Sequence, residues 1–414
     1  MHTKAGYFLL QCLLTLISPI LSFVVSLRLY KNGISQVFLL VFAFFFGFFC
    51  RHFYDESVHF YEMQAYYAGY SLSEILNNPL VFAHGHDLFH FIVKFLVSRF
   101  STDEQVFGGI LCLLHFSLFL FFFRQLKPFY SKYVSFSSGM MLIIFCLVVE
   151  FWWFSNLRFC SAAFYFGGFY LKYCNSRKIQ YLLLSLLSPL FHFTFLAIDA
   201  VVLLNFILTY CHKSFRYILL LFSLFIRSLN IDFAPFLIKH VSWLRENMSY
   251  AIVNTETRQG VLNYMKDFRQ NGNIVYNSRP YILLFLGLFV LFIFKRLKIE
   301  KDEQYSALFY MFLTIFTVAN FGYGDMFFYN RMTMISLLFL WAYIFIINVK
   351  YYPLSKKANL LLSCVLFIPM LFFLITPIVQ FRHAILQPEL WFGNFFMDWN
   401  GNNLDLDYAT FKRS

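Results

Sequence analysis

Apolar residues gather along this chain into eleven long runs, at about 7–27, 34–50, 106–123, 133–149, 159–174, 181–210, 216–231, 280–294, 305–320, 332–347 and 358–379. Several approach the roughly 20 residues that a helix needs to cross a bilayer. The pattern predicts an all-α, polytopic integral membrane protein of about 11–12 transmembrane helices. A single membrane domain spans 1–380, and 381–414 form a tail. The first run, Tyr7–Leu27, is long for a signal-peptide core and lacks an A-x-A cleavage pattern, so it reads as an uncleaved span. Segment 86–100 carries Lys94 and Arg99 and reads as an interfacial or partly inserted helix on the outer side.

Charge gives the runs an orientation. The loops after every second run hold Arg28 and Lys31; Arg124, Lys127 and Lys132; Lys172, Arg177 and Lys178; Lys213 and Arg216; Lys295, Arg296, Lys298 and Lys301; and Lys350, Lys356 and Lys357. That is about half of the 33 basic residues, opposed there only by Glu300, Asp302 and Glu303. The positive-inside rule makes these loops cytoplasmic. Run 181–210 then has a basic loop at each end and should enter and leave on that side. Its length and Pro189 predict a broken or re-entrant hairpin that bends near His192. The outer face receives a first loop over 51–87, turns at 150–158 and 321–331, a large loop over 232–279, and the tail.

Composition agrees and narrows the function classes. The 414 residues are 60% hydrophobic, 23% aromatic and only 13% charged. Soluble domains average about 25% charged residues. With a mean hydropathy of +0.64, the chain is not an ordinary soluble enzyme, a disordered protein or a disulfide scaffold. The net charge of +12 could suit nucleic acid, but the basic loops account for it, and no nucleic-acid partner is expected. Eight Cys show no C-x-x-C spacing. Gly108-Gly109 and Gly167-Gly168 lie within runs and read as helix-packing contacts. No nucleotide-binding glycine loop is evident.

The candidate chemistry lies in charges at membrane depth, which are expensive to keep there. Arg158 ends a tryptophan-rich turn that includes Asn156. His192 sits beside Pro189, and Asp199 is two helical turns further on, placed to neutralise Arg227. Arg51-His52-Phe53-Tyr54-Asp55-Glu56 gathers a cation and two carboxylates at a helix exit, and His84-Gly85-His86-Asp87 closes the same loop. Those His and Asp have no specific metal spacing. Tyr329-Asn330-Arg331 places another arginine at the start of an inward helix. In the large loop Arg258, Lys266, Arg269 and Arg279 alternate with aromatic residues, which suits sugars and phosphates and equally a solvated amphipathic helix. Arginine's planar fork matches phosphate oxygens bidentately, so the outer face suits a lipid-linked pyrophosphate.

At these residues the chain resembles the EpsG-like branch of the Wzy-type bacterial polysaccharide polymerases. Ser155-Asn156-Leu157-Arg158 leading into Ala162-Ala163 looks like that family's Arg-containing turn before a helix. Leu187-Ser188-Pro189-Leu190-Phe191-His192-Phe193-Thr194 is similar to its small-x-x-His-x-Ser/Thr segment. Arg51, Asp55 and Tyr61 resemble its Arg…Asp…Tyr element, with Phe53-Tyr54 where Gly-Thr often stands, and Arg331 resembles a late Arg. The resemblance covers roughly 50–210 and 320–350. It implies a GT-C-like glycosyltransferase architecture in the bacterial inner membrane, with its active site facing the periplasm. Such an enzyme moves a growing glycan from undecaprenyl pyrophosphate onto the next undecaprenyl pyrophosphate-linked oligosaccharide. Arg51, Arg158 and Arg331 would bind the pyrophosphates, and His192 or Asp55 would be the base. The large loop has no counterpart in the resemblance, and from the residue pattern alone Asn156, Arg258, Arg269 and Asn330 are candidates for further glycan or phosphate contacts. No cofactor and no metal is implied, and a flippase and a chain-length regulator are the expected protein partners. The alternative is a lipid-linked oligosaccharide flippase or polysaccharide transporter, which performs no chemistry.

Overall fold

The computed structural model describes residues 4–29, 32–49, 55–77, 87–130, 135–149, 157–229, 274–296, 305–323, 326–350 and 355–380. Regular structure among the described residues is wholly helical. Glu104–Arg124, Phe328–Lys350 and Lys356–Ile375 are long and apolar enough to cross a membrane. The shorter apolar helices among the described residues have 10–17 residues, and Ser18-Pro19 and Pro189 divide the runs at 7–27 and 181–210. Leu203, Phe206 and Ile207, Ile218, Leu221 and Phe225, and Leu360 and Ile368 all face outward. An apolar exterior of this kind is what lipid would cover.

The first run is such a divided run and not one span. It forms α1 (Lys4–Ile17) and α2 (Pro19–Arg28), with Ser18 extended between them and its hydroxyl accepting from the Leu21 N–H. Proline favours the first turn of a new helix. The two halves fold back on each other: the Ser22 hydroxyl donates to Gln11 Oε1 at 2.8 Å, although eleven residues of continuous helix would span about 16 Å. Thr15 donates to Ser22, and Tyr7 meets Ser35 of α3 (Gly33–Phe49), so a buried polar seam fastens the pair.

The segment expected to form the first outer loop is helical where it is described. α4 (Asp55–Glu62) runs into a π-helical turn, Met63–Tyr67, followed by α5 (Leu72–Leu76) and α6 (Leu88–Ser98). With 11 residues α6 is too short to span by itself. Next come α7 (Glu104–Arg124), α8 (Lys127–Tyr130), α9 (Phe136–Val148) and α10 (Leu157–Ser176).

α7 packs tightly on α3. A Cβ at Gly47 would lie 2.3 Å from the Gly108 carbonyl oxygen, and backbone cannot step aside. Gly167 and Gly168 likewise admit the rings of Phe122 and Phe121. Gly47→Val should therefore cost roughly 1–3 kcal/mol or more and cut the amount of folded protein in detergent extracts. Wild-type recovery would show that α3 can move away from α7.

Run 181–210 is broken where Pro189 predicts. α11 (Ile179–Ser185) gives way to a 3₁₀ turn, Ser188–Leu190, and the helix resumes only at α12 (Phe195–Ile207), leaving His192 in the gap. α11 packs on α10, whereas α12 packs on α15, which follows α13 (Lys213–Ser228) and α14 (Ile274–Arg296) and comprises Ser306–Phe321. The core is built around α16 (Met326–Lys350), which packs against α9, α14 and α15, while α17 (Lys356–Gln380) covers α9 and α14. Phe328–Lys350 is apolar nearly all round and almost wholly buried, as an all-round hydrophobic helix must be.

Arginines secure both ends of α13. Arg216 bonds Asn205 and lies over the Tyr310 ring. Arg227 donates to the hydroxyls of Tyr329 at 2.8 Å and Tyr281 at 3.0 Å, and also reaches Asn320. The Tyr323 and Tyr329 rings lie 4.5 and 4.8 Å from its guanidinium. The expected Asp199–Arg227 pair does not form: Asp199 Oδ1 is buried without a partner among the described residues. Tyrosine hydroxyls and faces supply Arg227 with acceptors and negative quadrupoles instead.

Candidate functional site

Two of the expected residues meet on one ring, and a third is tied to them through Asp87. Phe159, in the first turn of α10, packs its ring edge-on to His192 at 5.7 Å and lies 5.6 Å beneath the Arg331 guanidinium of α16. Arg158, its chain neighbour, makes an ion pair with Asp87 at 3.0 Å. The break after Pro189 allows this: the His192 N–H still reaches the Ser188 carbonyl, but the next two N–H groups, of Phe193 and Thr194, leave the helical ladder for Asp87 and His192 Nδ1.

Asp87 joins the parts, and its role was not visible in the sequence. It stands immediately before α6 yet makes no side-chain cap for that helix. Its Oδ2 accepts from Arg158 Nη1, and its Oδ1 accepts from the Phe193 N–H at 2.9 Å. One carboxylate thereby holds the start of α6, the start of α10 and the gap before α12. Burial pushes the Asp87 carboxyl up to about 6, with Arg158, the Phe193 N–H and Arg331 acting against that rise. The remaining N–H groups of Arg158 have no partner among the described residues.

His192 is buried, and its Nδ1 accepts from the Thr194 N–H at 3.2 Å. A neutral imidazole has one donor and one acceptor nitrogen. With Nδ1 occupied as acceptor, the hydrogen resides on Nε2, so His192 offers a donor at its free nitrogen.

A second polar cluster adjoins the first. The ring of His59 on α4 lies 4.7 Å from that of His90 on α6, nearly perpendicular to it. His59 Nδ1 lies 3.1 Å from Glu62 Oε2, and the same oxygen accepts from the fully buried Lys94 ammonium. Burial holds His59 neutral down to about 3, with Glu62 opposing and Lys94 and Arg158 assisting. Its hydrogen bond to His59 and the Lys94 charge keep Glu62 ionised, well below the usual carboxylate range, against the effect of burial. Lys94 therefore does not snorkel to an interface. The signal in the sequence was the pair of spacings His59-x-x-Glu62 and His90-x-x-x-Lys94, each of which shares one helix face.

Other expected residues are placed less fully. Asn330 is half-buried on α16 beside Arg331. Asp55 begins α4, but its side chain is outside the described residues, as are Arg51, Asn156, Arg258 and Arg269 in full. Of the loops, 232–273 and the tail 381–414 also lie outside them. Among the described residues no group of three His, Cys, Asp or Glu could hold a metal ion. His84 and His86 are not described, and Asp87 is engaged by Arg158. No family model, curated protein or solved structure matches the chain.

Proposed function

We propose that this chain is a polysaccharide polymerase, a glycosyltransferase of the bacterial inner membrane with its active site toward the periplasm. It transfers a growing glycan from undecaprenyl pyrophosphate onto a lipid-linked oligosaccharide repeat unit. The observation that carries this reading is Arg331 and a donating His192 on the Phe159 ring, with Arg158 tied to the same gap through Asp87 and the Phe193 N–H. Two guanidinium groups and an imidazole N–H match the oxygens of a departing pyrophosphate. Asp87 presets Arg158 through one nitrogen and leaves the rest of its fork for the ligand. The interrupted run 181–210 is then the re-entrant hairpin of a GT-C-like fold, bringing His192 to the outer side.

Arginine and lysine differ here in a way that tests the reading. Lys keeps the charge of Arg158 or Arg331 but loses the bidentate fork, so each Arg→Lys variant should shorten or abolish polymer at normal membrane level. Wild-type polymer from both would remove these residues from the site. The deletion strain separates this reading from a transporter. Loss of a polymerase leaves outward-facing, single-unit lipid-linked oligosaccharide and no long chains. Surface labelling that finds repeat units only on the inner leaflet would instead identify a flippase.

A further inference from the structure

Four polar atoms of the second cluster are buried with no hydrogen-bond partner among the described residues: His59 Nε2, both ring nitrogens of His90, and the Tyr67 hydroxyl. Buried polar groups are almost always paired, and each exception asks for an explanation. These four come from neighbouring elements, α4, its π turn and α6. π turns inside helices frequently mark functional sites. The Tyr67 ring also lies 5.7 Å below the Lys94 ammonium.

Their chemistry is specific. The Nδ1 hydrogen of His59 is directed to the Glu62 carboxylate, so its Nε2 presents a lone pair. A neutral His90 presents one donor and one acceptor, and Tyr67 presents a hydroxyl. One acceptor beside groups of mixed polarity complements an alcohol, and it does not complement a phosphate, which needs donors only. The charged and titratable groups around His59 are Glu62 on its own helix, Lys94 and His90 on α6, Tyr67 on the π turn and Arg158 on α10.

Resting on the polymerase reading, we propose that this cluster is the acceptor subsite, in which one sugar hydroxyl of the incoming repeat unit docks and His59 Nε2 takes its proton. The hydroxyl oxygen attacks the anomeric carbon of the donor glycan as its O–H bond breaks. The bond from that carbon to the pyrophosphate oxygen breaks, and its electron pair leaves with the lipid pyrophosphate toward Arg158 and Arg331. The imidazolium is paired with Glu62, whose own charge Lys94 maintains, and it later returns the proton to solvent or to the departed pyrophosphate. Glu62 and Lys94 are positioning residues in this scheme.

The test uses the full-length protein in proteoliposomes, supplied with lipid-linked repeat units extracted from the deletion strain. His59→Gln should lower turnover by about 10²–10⁴-fold while capture of radiolabelled repeat units is retained, and imidazole should partly rescue His59→Gly. Tyr67→Phe removes a hydroxyl that has no partner among the described residues, so it should fold at least as well as wild type. Its KM for the repeat unit should nevertheless rise roughly five- to tenfold. Wild-type kinetics in Tyr67→Phe would overturn the subsite even if His59→Gln failed to accumulate, and wild-type turnover in His59→Gln would overturn it independently. No polymer from the unaltered protein would overturn the polymerase reading itself.

Discussion

Glu62→Ala is expected to lose most of the folded protein, and a second substitution, Lys94→Met, to bring it back. Lys94 has no exposed side-chain surface, and Glu62 is its ion-pair partner. Taking one partner from a buried pair leaves an uncompensated charge and costs roughly 3–5 kcal/mol. Replacing the ammonium by a thioether of similar length removes that charge and fills the same space. The two substitutions should therefore be strongly non-additive, with a coupling of roughly 1–3 kcal/mol. Thermal unfolding in detergent, followed by size-exclusion chromatography of a fluorescent fusion, measures it. A double variant no more stable than Glu62→Ala would show that the pair is not what holds α4 to α6. The rescued double variant should still be defective in transfer, because His59 has lost its orienting carboxylate.

Asp87→Ala has the second large effect. It strips Arg158 of its ion pair and leaves the Phe193 N–H without an acceptor. The cost is roughly 2–4 kcal/mol, below that of a wholly buried pair because Arg158 keeps 22% of its side chain exposed. Polymer should be lost as well, since Arg158 is no longer aimed. Asp87→Asn separates the two consequences: its amide oxygen can still accept from Phe193, but the charge is gone. The pH dependence follows from the sign of the shift. The folded carboxyl is raised to about 6, so the native state holds this proton more tightly than the unfolded chain does. The associated stability is complete below the ordinary Asp range near pH 4 and is lost as pH rises through about 6. The ionised carboxylate that orients Arg158 forms over the same window. Wild-type melting temperature should therefore decline between pH 4.5 and 7 by an amount absent from Asp87→Asn, while transfer rises with pH only in the wild type. Parallel curves for the two proteins would show that Asp87 does not titrate there.

Local chemistry was legible in the sequence, and tertiary partnership was not. The break near His192 could be foreseen because a proline acts on its own turn. Ser18-Pro19 carries the same kind of signal, yet the hydropathy of the run around it masked the fold-back that Gln11 and Ser22 reveal. Arg158, His192 and Arg331 stood out as polar groups that an apolar chain would not carry without reason. That Asp87 would serve Arg158 depends on α6 meeting α10, 71 residues along the chain. Counting charges also misassigned Arg227: opposite charge pointed to Asp199, whereas the partners are tyrosines, which carry no formal charge.

The seat of Arg227 has a consequence for biosynthesis. Tyr281, Asn320 and Tyr329 follow it by 54, 93 and 102 residues. While α13 emerges from the ribosome, its arginine has none of these acceptors, and they arrive only with the last third of the chain. Until then the helix must keep its cationic end in water or at the headgroups, and it can settle into the bundle only after α16 has been made. Nascent chains cut short before residue 281 should therefore present an arginine with none of these acceptors to the membrane's quality-control proteases, which makes the guanidinium a candidate checkpoint on synthesis of the C-terminal helices.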